Sequence, residues 1–131
     1  MEEQLRAILL ASSGVTALVG TRVNFGEHPQ GQPLPAIVMS TVSEVSDHTI
    51  DGPDGVPDAR VQVDCYALAY GQAKLISRAV RAVLDGHSAG AIQGVFLAGA
   101  RDMREGGTNK AERPFRVSMD FTVRYSMEAQ P

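Results

Sequence analysis

The sequence predicts an α+β domain: a mostly antiparallel sheet of four to five strands with two helices packed on one face, in the order α-β-β-β-α-β-β. Three observations predict it. Residues 115–125 alternate apolar and polar side chains without a break, as a strand with one buried face must. Residues 73–83 place apolar side chains at helical spacing, and the strand-like runs are joined as hairpin-like neighbours rather than as the repeated strand–helix–strand units of a doubly wound fold. At 131 residues and 44% apolar composition the chain is the size of one domain, residues 1–131, with a core that needs no staples.

The first element is a helix. Leu5, Ile8 and Leu9 recur at helical spacing, and Glu2 and Glu3 lie where the helix dipole favours carboxylates, so a helix over about residues 2–12 is expected, stopped by Gly14. Val15, Ala17, Leu18 and Val19 are expected to add a helical turn ending at Gly20, ahead of a short strand at Arg22–Phe25. The run GEHPQGQPLP that follows has three prolines and two glycines in ten residues and reads as loop.

Ala36–Val45 is β-branched and apolar on both faces, which predicts a central strand. Ala59–Ala67 alternates more cleanly: Val61, Val63, Cys65 and Ala67 point one way, Arg60, Gln62, Asp64 and Tyr66 the other. In the second helix Ala73, Ile76, Val80 and Val83 form the apolar face, Lys74, Arg78 and Arg81 a basic stripe read as a solvated face, and Asp85–Gly86 the stop. Strands at Ala91–Met103 and Phe115–Tyr125 complete the sheet, joined by REGGTNKAERP, which is too polar to pack and reads as a mobile hairpin tip. Phe115, Val117, Met119, Phe121, Val123 and Tyr125 share one face of the last strand; at roughly 1.5–3 kcal/mol per buried large side chain, they make it a main contributor to the core.

Between the second and third strands lies TIDGPDGVPD, whose Asp51, Asp54 and Asp58 raise the question of a cation loop. Their spacing fails the test: counting from Asp51, an EF-hand register puts Pro53 at position 3 and Gly55 at position 5, and counting from Asp54 finds no acid at position 3. Turn chemistry explains the composition, because Gly supplies positive φ, Pro fixes φ, and Asp bonds nearby backbone. A small metal-dependent enzyme using these three carboxylates is the remote alternative.

Other chemistry is missing. His28, His48 and His87 fall in predicted loops and form no metal-binding pair, and there is no nucleophile elbow, phosphate-cradling loop or dinucleotide fingerprint. No cofactor is expected. The lone Cys65 excludes an internal disulfide and sits where a small buried hydrophobe belongs. A net charge of −3 and a pI near 5.5 argue against a dedicated nucleic-acid binder. MEEQLRAILL reverses the charge order of a signal peptide, and no run approaches the roughly 20 apolar residues of a membrane span, so a cytoplasmic chain without membrane association is expected.

What packing leaves unexplained is the polar face of the two best strands, with Arg60, Gln62 and Asp64 on one and Arg116, Asp120 and Arg124 on the other. Such a face suits either water or another subunit, where charge pairs fix register more than they add affinity.

Three segments together carry a resemblance: LLASSGVTALVGTRV, the run TIDGPDGVPDARVQVDCYALAYGQAKLISRAVRAVLDG, and FRVSMDFTVRY. The chain resembles the small tail-completion proteins of long-tailed bacteriophages, prophages and gene transfer agents, a group similar to the tail terminator of phage lambda. The resemblance implies a non-enzymatic protein that assembles as a ring of six copies on the head-proximal end of the tail tube. There it would stop tube polymerisation, dock head-completion proteins, and leave a hole through which DNA passes without specific binding. On this reading Ser46–Asp58, with Asp51, Asp54 and Asp58, and Arg104–Arg113, with Arg104, Lys110 and Arg113, are expected as docking loops. The outward strand residues are expected near the subunit contact. A head-completion or tail-tube subunit of the same particle is the runner-up.

Overall fold

A computed structural model describes residues 1–29, 31–45, 58–104 and 114–125. The elements run α1 (Glu2–Ala11), α2 (Ser13–Val19), β1 (Val23–Phe25), β2 (Ala36–Val45), β3 (Asp58–Ala67), α3 (Tyr70–Leu84), β4 (Ile92–Arg104) and β5 (Phe115–Tyr125). The five strands form one sheet in the order β1-β2-β3-β5-β4.

The α+β class stands, and three details of the expectation are corrected. There are three helices, not two, because the apolar residues after Gly14 make a full short helix. The break falls at Ser12, not at Gly14: Ser12 takes an extended backbone (φ −87°, ψ 118°) and its Oγ accepts from the Val15 N–H at 3.3 Å. A serine that caps one helix thus ends the one before it. The sheet is mixed, since β1 runs parallel to β2 while β2–β3, β3–β5 and β4–β5 are antiparallel. The proline- and glycine-rich loop carries the chain back to the start of the sheet before β2 begins, which leaves the two strands pointing the same way.

The order of the last three strands has a further consequence. With β5 inserted between β3 and β4, those two strands are parallel, and α3 connects them across the inserted strand. The helix therefore lies over the middle of the sheet. Its Ala73, Ile76, Val80 and Leu84 are buried together with Val61, Val63 and Cys65 of β3 and Val117, Met119, Phe121 and Val123 of β5. Leu5, Leu9, Val15 and Val19 extend the same helical layer over Val23, Ile37 and Met39. One apolar layer between helices and sheet is thus the core, and among the described residues the other sheet face has no helix on it. Ends are fixed by local chemistry: α3 stops at Asp85 and is followed by Gly86 at φ +85°, a conformation that costs glycine nothing.

The opening turns of α3 are tied to the sheet by polar contacts. The Tyr70 hydroxyl donates to Asp102 Oδ2 at 2.7 Å, and Lys74 Nζ reaches Asp102 Oδ1 at 3.2 Å. The rings of Tyr70 and Phe115 meet edge to face at 5.8 Å, and the Arg104 guanidinium lies 4.5 Å from the centre of the Phe115 ring. Among the described residues no helix is long and apolar enough to cross a membrane.

Candidate interaction surface

The helix-free face of the sheet is where the sequence-predicted polar residues meet. Antiparallel pairing of β3 with β5 sets Asp58 opposite Arg124, Arg60 opposite Thr122, Gln62 opposite Asp120, Asp64 opposite Ser118 and Tyr66 opposite Arg116. All six residues expected near a subunit contact, Arg60, Gln62, Asp64, Arg116, Asp120 and Arg124, therefore share one surface.

They are organised as a ladder of pairs. Arg124 donates to Asp58 through Nε at 3.0 Å and Nη2 at 3.4 Å, a two-pronged contact. Arg101 of β4 bridges to Asp120 at 3.1 Å. Gln62 Nε2 donates to both oxygens of Asp64, at 3.2 and 2.9 Å, and Arg116 Nε stands 3.1 Å from Asp64 Oδ1. That last approach is close in distance but off-line for the Nε–H, so it is an ion pair without an aligned hydrogen bond through that atom. Arg60 has no ion pair among the described residues and stays exposed.

Asp64 does not face water as the alternation predicted. It is 5% exposed, and Ser118 beside it is fully buried. The physical reason lies in the neighbours: the long Arg116 side chain reaches Asp64 from the adjacent strand at 3.1 Å, and Gln62 bonds both of its oxygens. A carboxylate so covered needs partners, and Gln62 and Arg116 supply them.

Two of the predicted docking-loop residues fall inside strands. Asp58 opens β3 and is held by Arg124, and Arg104 closes β4 against Phe115. Asp51, Asp54, Lys110 and Arg113 lie outside the described residues.

Three features were missed in the sequence. Phe96 is 56% exposed on the helix-free face, and its ring leans back over Gly94: a Cβ placed on Gly94 would lie 2.7 Å from the ring. The glycine makes room for an aromatic platform lying along the edge of the sheet. At the opposite end of that face, Leu34, Val38, Tyr66, Pro114, Gly26, Glu27 and His28 line an apolar cleft of about 400 Å³. His28 Nε2 lies 2.8 Å from the Gln32 carbonyl, to which it donates, and its buried Nδ1 has no partner among the described residues. A third feature is a cleft between α3 and β4 with basic walls. Only the G-x-F spacing in β4 was readable as a signal, and strand alternation alone did not single it out.

Among the described residues the site has no catalytic constellation. Among the described residues no group of three or more His, Cys, Asp or Glu side chains is placed to hold a metal ion. Cys65 is fully buried, and burial, helped by the nearby Asp64 charge, pushes its thiol pKa far above the ordinary value, so it stays protonated. What the surface offers is an ordered polar ladder, an aromatic platform and an apolar cleft on one face of the sheet, which are means of binding another protein.

An α+β sheet with a patterned polar face suits a protein that works by contact with other proteins. The chain belongs to the family described as tail completion protein gp17, which it matches over residues 3–126, so its role is structural and lies in a phage-type tail rather than in catalysis. Among solved structures it is similar to a chain of the virion of a native gene transfer agent particle, at 27% sequence identity and a TM-score of 0.61, over 92% of this chain and 90% of that one. No curated protein matches it.

Proposed function

We propose that this chain is the tail terminator of a phage-type particle: a ring on the head-proximal end of the tail tube that stops tube-protein addition, docks the tail to the head-completion proteins, and leaves a central pore for DNA. The observation that carries the reading is the family match over nearly the whole chain, residues 3–126. The similarity to a chain of a gene transfer agent virion supports a place in the particle itself.

The geometry fits this role. Rings close through heterologous contacts, in which one patch of each copy meets a different patch of the next. The helix-free face offers such patches, with Arg60 exposed and Gln62, Asp64, Arg116, Asp120 and Arg124 already held in place, so that little ordering entropy remains to be lost on contact. The segment with Lys110 and Arg113 is assigned to contacts with the tube and with the head-completion proteins. A net charge of −3 per copy suits a pore, because the counterion release that drives phosphate binding requires a surplus of cations.

Deleting the gene tests the role in the particle. Tails of uncontrolled length that fail to join filled heads are expected; particles of normal length and normal joining would reject the assignment.

A further inference from the structure

The helix-covered side of the molecule holds a second surface. Between α3 and the edge strand β4 runs a cleft of about 150 Å³, floored by Leu97, Ala100, Val117 and Met119 and walled by Lys74, Arg78 and Arg81. Lys74 is neutralised by Asp102 at one end, and at the other the Asp85 carboxylate accepts from the Leu97 N–H at 3.0 Å. In the middle, Arg78 and Arg81 are exposed and have no ion pair among the described residues. Most other arginines are engaged: Arg6 donates to the Val23 carbonyl, Arg22 to the Pro35 carbonyl, and Arg101, Arg116 and Arg124 pair with carboxylates. In a chain of net charge −3, two free guanidinium groups side by side over an apolar floor are a local reversal of sign.

We infer that the α3–β4 cleft receives an acidic segment of a second copy of this chain, residues 46–57, with Arg78 and Arg81 pairing its carboxylates. This rests on the ring reading, which requires two different and complementary patches on each copy. The segment supplies the matching chemistry: SDHTIDGPDGVP carries Asp47, Asp51 and Asp54 and has no Lys or Arg. Its Ile50, Val56 and prolines are apolar enough for the cleft floor, and guanidinium–carboxylate pairs fix which residues meet. The basic stripe of α3, read from sequence as a solvated face, thereby gains an occupant.

The test uses the full-length chain and a synthetic peptide of residues 46–57, followed by fluorescence anisotropy and by backbone NMR shifts. Saturable binding is expected, with shifts at residues 74–81 and 97–100, and with affinity that falls several-fold between about 0.05 M and about 0.3 M salt. Arg78→Glu with Arg81→Glu should lower the affinity roughly ten-fold or more, as should Asp51→Asn with Asp54→Asn in the peptide, while Arg60→Glu on the opposite face should leave it unchanged. Absence of saturable binding overturns the inference, as does binding indifferent to those changes, or a single-stranded oligonucleotide that occupies the same residues more tightly than the peptide. The two readings separate cleanly. Peptide binding by a chain that never forms rings would keep this inference and remove the ring; rings unaffected by Arg78→Glu with Arg81→Glu would do the reverse.

Discussion

The Asp64 carboxylate is covered by Arg116 at 3.1 Å and gripped by the Gln62 amide at 2.9 Å, on a sheet face that no helix covers. It is the one carboxylate among the described residues that is buried, and its charge is tolerable only while both neighbours stay. Arg116→Ala should cost about 2–3 kcal/mol in urea unfolding, because a hydrogen-bonded charge is left short of partners. Arg101→Ala, which breaks an exposed pair with Asp120, should cost less than about 1 kcal/mol. The double change Asp64→Asn with Arg116→Ala should lose less than the sum of its single changes. Equal losses at positions 116 and 101 would contradict this ranking.

Phe121 is 1% exposed and lies opposite Val61 on one side and Leu97 on the other. Phe121→Ala should therefore remove about 3–5 kcal/mol, seen as a lower denaturant midpoint, and a variant that melts with the wild type would contradict the position of the core.

The contrast between these two residues shows what a sequence can carry. Phe121 was legible because a strand with one buried face must alternate, and the helix through Ala73, Ile76 and Val80 was legible for the equivalent reason at period 3.6. Asp64 obeys the same alternation and yet is buried, because its cover comes from a long side chain on another strand 52 residues later, and alternation records the face but not the neighbours. The insertion of β5 between β3 and β4 was illegible in the same way, since strand order is decided by pairings distant in sequence. The ring of Phe96 over Gly94 depends on an absent Cβ, and the cleft beside Arg78 and Arg81 exists only once α3 lies next to β4.

Cys65 gives a chemical check on the core. Its thiol is buried and held protonated, so thiol-specific reagents should leave the native protein unmodified at pH 8 and react fully only on denaturation. Rapid labelling of the folded chain would contradict the burial of Cys65 in the layer between helices and sheet.

Asp102 gives a pH dependence. Hydrogen bonds from Tyr70, then Lys74, hold its carboxyl below the usual carboxylate range. A lowered folded-state pKa means that the ionised form is the stabilised one. The contribution is therefore complete above the unfolded value of about 4 and is lost as pH falls through the folded value. The stability gap between the wild type and Asp102→Asn should be constant from about pH 5 to neutrality and close below about pH 4. A gap that persists at about pH 2 would show that Asp102 acts through something other than its charge. The residue is exposed, so the gap should be modest.

The proposed terminator ends a tube rather than extending one. The direct measurement is electron microscopy of purified tail-tube protein polymerised with and without this chain. A single closed ring of this protein at one end of each tube is expected, with elongation halted there. Tubes built from this chain alone, or tube growth unchanged in its presence, would contradict it.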